Sequence, residues 1–191
     1  VLTRFQADQI RAGNAAELNF AGYPVADVLG PCPGGTAYRV LHPAGRTPLV
    51  LRRLRTDWLA PADNAAAFLL RAQAVAPLVH PHAVHLLDAG AYRDEPFAVL
   101  EPADGADLET LVADIGPMPA PLAAGYARQA ALVLRAVHDR LLVHGHVGPR
   151  CLVVGPLTPM SKPRADGTPR MRPAATATVR LTDLGLIPFR L

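Results

Sequence analysis

Apolar and polar positions alternate with period two in several short runs of the first half of the chain. YPVADVLG (23–30), TAYRVLH (36–42) and PLVLRRL (48–54) are separated by turns bearing glycine or proline, and each predicts a β-strand. AVHLLDAGAY (83–92) and EPFAVLEP (95–102) predict two more. The period is helical in ADNAAAFLLRAQAVA (62–76), with Asp63 as its cap and Pro77 as its stop. At the start, LTRFQADQIRAG places Thr3 three residues before Gln6 and ends on Gly13, the signature of a capping box and a short helix over 3–12.

Past Pro102 helices dominate. DLETLVADIG predicts a helix capped by Asp107 and ended by Gly116. The stretch 119–141 predicts a long helix with Leu122, Tyr126, Val133, Leu134 and Val137 on one face. CLVV and VRLTDLG then predict two short strands around residues 155–180. The sum is an α+β chain of two unequal parts: a helical lead-in (1–22), a β-rich part with one main helix (23–102) and a mostly helical part (103–191).

Composition changes this picture little. Of 191 residues 50% are hydrophobic and 18% charged, which fits a globular chain. No run predicts a membrane span, and Cys32 and Cys151 are expected as free thiols in a cytoplasmic protein. The net charge of +3 is uneven: residues 155–180 hold five basic residues against Asp166, or +4, which leaves −1 for the rest. With five prolines as well, that insertion predicts a mobile loop able to meet an acidic partner, but not a dedicated nucleic-acid site.

The order of the motifs is more specific. LGPCPGGTAYRV (29–40) is a glycine-bearing hairpin, LVLRRL puts a cation on the next strand, and LVHPHAV, FAVLEPADGADL, HGHVGPRCLVV and VRLTDLGL follow in register. This series resembles the bacterial Ser/Thr protein kinase domain, and the opening segment resembles the helical lead-in of planctomycete-type kinase domains. The resemblance implies a kinase-like two-lobed fold. It places Gly30 and Gly35 in the phosphate-covering loop, with Cys32 in place of the middle glycine. Arg52 stands at the lysine position, Glu101 in the hinge and Asp183 at the DFG metal ligand.

The chemistry has been emptied out of those positions. In HGHVGPRC the base Asp is His146, the Lys is Gly148 and the metal-binding Asn is Cys151. Arg71 falls where the family has the helix glutamate. Two guanidiniums about 4 Å apart would repel by about 4 kcal/mol at a surface-like dielectric, so the helix swings out or an anion sits between them. The resemblance therefore implies a pseudokinase, with no cofactor, acting as a scaffold or regulatory protein-binding module. The alternative is a weak kinase using ATP and Mg²⁺ with Asp183 as the metal ligand. Two other chemistries use the same histidines: a metal site on His144, His146 and Cys151 or on His80, His82 and His85, and a Cys151–His146 nucleophile pair. The stretch ends soon after DLG, so the 119–141 helix is expected to expose an apolar face to a protein partner or a second copy.

Overall fold

The computed structural model describes residues 2–45, 47–55 and 65–184. The elements run α1 (Arg4–Arg11), β1 (Asn19–Phe20), β2 (Tyr23–Cys32), β3 (Gly35–Leu41), β4 (Pro48–Leu54), α2 (Ala65–Val75), β5 (Leu86–Tyr92) and β6 (Glu95–Leu100). There follow β7 (Ala106–Asp107), α3 (Leu108–Ile115), α4 (Ala120–His138), β8 (Leu152–Pro159) and β9 (Met171–Leu181). The fold is α+β, in two compact units. One holds residues up to 76 together with 86–102; the other holds 77–85 together with 103–184. The segment 77–85 thus belongs with the later helices, not with the strands that flank it. Asp63, expected as the cap of α2, lies outside the described residues.

The first unit is an antiparallel six-stranded sheet in the order β1-β2-β3-β4-β6-β5. Alternation sends Phe20, Val25, Val40, Leu49, Leu51, Phe97 and Val99 into one buried cluster, with Phe5, Tyr23, Tyr38 and Tyr92 packed at its margin. The helix α2 rests on β5 and β6 and buries Phe68, Ala72 and Val75. At the N-terminus the capping box forms as the sequence predicts, with Thr3 and Gln6 each satisfying the other's backbone N–H.

In the second unit α4 packs on β9 and buries Tyr126, Ala130, Val133 and Val137, a 3-4 spacing. Leu122 is more exposed than its place in the periodic pattern predicts, and Ala130 takes an inward position instead. Asp107 caps α3 through its carboxylate, which accepts from Thr110 N at 2.9 Å.

Residues 155–180 depart from the expected mobile loop. They form a β-hairpin: β8 pairs with β9 from Leu152↔Leu181 outward to Pro159↔Met171, and Met160 N donates to the Arg170 carbonyl across the tip. The prolines are accommodated: the pairing shifts between Gly155 and Leu157, where Pro156 sits, Pro159 ends its strand, and Pro173 lies in β9, an edge strand. The hairpin is also clamped. Arg164 grips the Asp114 carboxylate of α3 with two bonds of 3.1 and 2.7 Å, and Arg170 donates to the Asp114 carbonyl.

Candidate functional site

Strand parity separates two adjacent arginines of β4. Arg53 shares the face of Leu51. Its guanidinium lies 4.9 Å from the centre of the Phe20 ring, donates to Glu17 at 2.8 Å and pairs with Glu95. Arg52, opposite Ala37 on β3 and Ala98 on β6, projects to the other face. The cation expected at the lysine position is therefore Arg52, half-buried, while Arg53 is a structural clamp that the sequence reasoning missed. Arg71, half-buried, is carried by the helix seated on β5 and β6, and Glu101, also half-buried, directly follows β6.

Both candidate phosphate-loop glycines have backbone reasons to be glycine. Gly30 sits at φ 122° where the β2–β3 register shifts, and a Cβ on Gly35 would come 1.9 Å from the Arg53 carbonyl oxygen. The tight turn itself falls on Pro33 and Gly34, between the paired Cys32 and Gly35. Cys32 is half-buried and Cys151 buried, and the two are not joined in a disulfide.

In the second unit the segment 144–151 is tied to the end of β9. His144, only 2% exposed, has both ring nitrogens in use. Nδ1 accepts from His146 N at 3.2 Å, which leaves Nε2–H to donate to the Thr182 carbonyl at 2.7 Å. Thr182 N in turn donates to the Cys151 carbonyl at 2.9 Å. Cys151, 0% exposed, points its thiol at the His146 carbonyl, 3.2 Å away. A metal centre on His144 and Cys151 thus finds its donors committed to backbone. In the candidate nucleophile pair the Cys151 thiol is directed at the backbone carbonyl of His146. Among the described residues no group of three or more His, Cys, Asp or Glu side chains could hold a metal ion.

His80, His82 and His85 do not converge as ligands either. His82 N donates to His80 Nδ1, and His82 Nδ1 lies 3.1 Å from the Val179 carbonyl. Burial, then the neighbouring His82, lowers the His80 pKa from its ordinary value. Asp183 is 3% exposed, stands at φ 63° and accepts from the Thr182 hydroxyl at 3.0 Å. Mg²⁺ takes oxygen donors; Asp183 offers them, whereas Cys151 at the partner position offers a buried thiol and Gly148 offers no side chain. His146 is exposed.

Gln129 and Asp114, outside every motif, and Thr182, just before DLG in the VRLTDLGL stretch, hold this region. Gln129 of α4 accepts from Val179 N at 2.8 Å on the outer edge of β9, Thr182 links the two segments, and Asp114 anchors the hairpin. No local signal marks them, because each acts on a residue at least 31 positions away.

A curled antiparallel sheet with one seated helix, followed by two helices and a β-hairpin that ends at a buried Asp, defines a protein kinase-like domain. A crystal structure of the Mycobacterium tuberculosis PknI kinase domain matches with a TM-score of 0.69 at 26% identity, over 89% of this chain and 62% of that one. Among curated proteins, serine/threonine-protein kinase PknF of Mycobacterium tuberculosis is 32% identical over 143 residues, covering 73% of this chain and 30% of PknF. PknI of Mycobacterium bovis is 29% identical over 142 residues, covering 73% and 24%. The chain spans less than a third of the length of these two relatives. No family model matches it. The chain is a kinase-family domain with bacterial Ser/Thr protein kinases as homologues. These relatives are mycobacterial and lend nothing to the planctomycete resemblance of the opening segment.

Proposed function

We propose that this domain is a pseudokinase, a kinase-family domain that has lost phosphotransfer and serves as a scaffold or regulatory protein-binding module. The observation that carries this is Cys151. At the position of the family's metal-binding Asn stands a fully buried thiol committed to the His146 carbonyl. Gly148 and His146 remove the phosphate-neutralising and base positions beside it. Phosphoryl transfer depends on these parts acting together, so one retained carboxylate, Asp183, gives it little to work with.

The binding half of the proposal is supported by an apolar groove of about 630 Å³ between α3 and α4, lined by Leu108, Val112, Met118, Ala123, Tyr126 and Leu152. The hairpin is a poorer candidate surface for an acidic partner, because Arg164 and Arg170 are both occupied by Asp114. The test pairs thermal shift with radiolabel transfer. ATP with Mg²⁺ should give neither stabilisation nor labelled acceptor. Metal-dependent nucleotide binding, or label passed to any protein, would return the domain to the active kinases.

A further inference from the structure

The helix α1 is fastened to the sheet by its own cap. Thr3 Oγ accepts from Gln6 N at 3.2 Å and donates to the Ala26 carbonyl at 2.6 Å. Gln6 Oε1 accepts from Thr3 N at 3.0 Å, and its Nε2 donates to the Val25 carbonyl at 2.9 Å. Ala26 is the extra residue of a bulge between Val25 and Asp27, which leaves its carbonyl available to the helix. Beyond this knot the attachment is thin. No residue of α1 is buried, and a cavity of about 150 Å³ lies between helix and sheet.

The walls of the cavity are apolar: Phe5 from the helix, and Phe20, Val28, Tyr38 and Leu51 from the sheet. A pocket of about 150 Å³ with such walls has room for one benzene-sized ring. Its polar edge is Gln9, Glu17 and Arg53. Arg53 is shared by Glu17 and Glu95, so the cluster sums to −1 and has no spare cation for a carboxylate or phosphate. What the edge offers is acceptors: the Gln9 amide, which has no side-chain hydrogen bond among the described residues, and the Glu17 carboxylate.

We propose that the cavity beneath α1 binds a neutral single-ring aromatic with one hydrogen-bond donor, a molecule of the phenol class, and that filling it fastens α1 to the sheet. The probe is phenol, compared with benzoate, on the full chain. At about ten times its Kd, phenol should raise Tm by roughly 4 °C and slow tryptic cleavage after Arg11, while benzoate does neither. Val28→Phe, at a position 43% exposed and able to take a ring into the void, should abolish both effects. Phe5→Ala, on a helix with no buried residue, should weaken phenol binding about tenfold. Equal responses to phenol and benzoate would overturn the ligand class. A phenol response that survives both substitutions, or no response in the unmodified chain, would overturn the site.

Discussion

The hydroxyl of Tyr23 donates to the carboxylate of Asp88 at 2.5 Å, which joins β2, near one end of the sheet order, to β5 at the other. The six strands therefore curl until their margins meet. Phe20 of β1 and Tyr92 of β5 close the same seam edge to face, with ring centres 5.0 Å apart.

Removing that hydroxyl tests the seam. Tyr23→Phe should cost about 1 kcal/mol, measured by urea unfolding at pH 8. Burial first, then the Asp88 hydrogen bond and charge, push the Tyr23 pKa up to about 12, from 10 in the unfolded chain. The native state holds this proton where the unfolded chain has lost it. The contribution is therefore complete below pH 10 and declines as pH rises through 10 toward 12. In Tyr23→Phe this part of the alkaline slope should vanish. An unchanged slope would mean that folding does not raise the Tyr23 pKa.

His144 is a brace, not a base. His144→Leu keeps the volume but strips partners from His146 N and the Thr182 carbonyl, and should destabilise by about 3 kcal/mol in equilibrium unfolding. Substituting the exposed His146 by Ala should change stability by less than about 0.5 kcal/mol. If the two substitutions cost the same, the ring bonds of His144 contribute nothing specific.

The hairpin clamp rests on one carboxylate. Asp114, with its side chain 11% exposed, faces both Arg164 and Arg170. Asp114→Asn should cost about 1 kcal/mol and open the Arg164 site to trypsin. Digestion at the unchanged rate would show that strand pairing alone holds the tip.

Tyr126 buries a hydroxyl with no hydrogen-bond partner among the described residues, and burial raises its pKa. Tyr126→Phe removes an uncompensated polar group and should stabilise the protein by about 1 kcal/mol, read as a higher urea midpoint at constant slope. A loss of stability would reveal that the hydroxyl is satisfied.

Where the determinants are local, the sequence was enough. The capping box of Thr3 and Gln6, the Asp107 cap and the alternation in β4 each act within a few residues, and all three form as their patterns predict. The motif order from the glycine hairpin to DLG also carried the kinase-like fold, because it follows chain order. Tertiary structure decided the rest. Only the folded sheet brings Glu17 and Glu95 to Arg53, the neighbour of the arginine that the motif order singles out, and only the approach of α3 turns a basic, proline-rich segment into a clamped hairpin. Composition reports the charge of that segment but not the carboxylate 50 residues earlier that meets it. Such bonds depend on which elements come to lie side by side, and no window along the chain contains both partners.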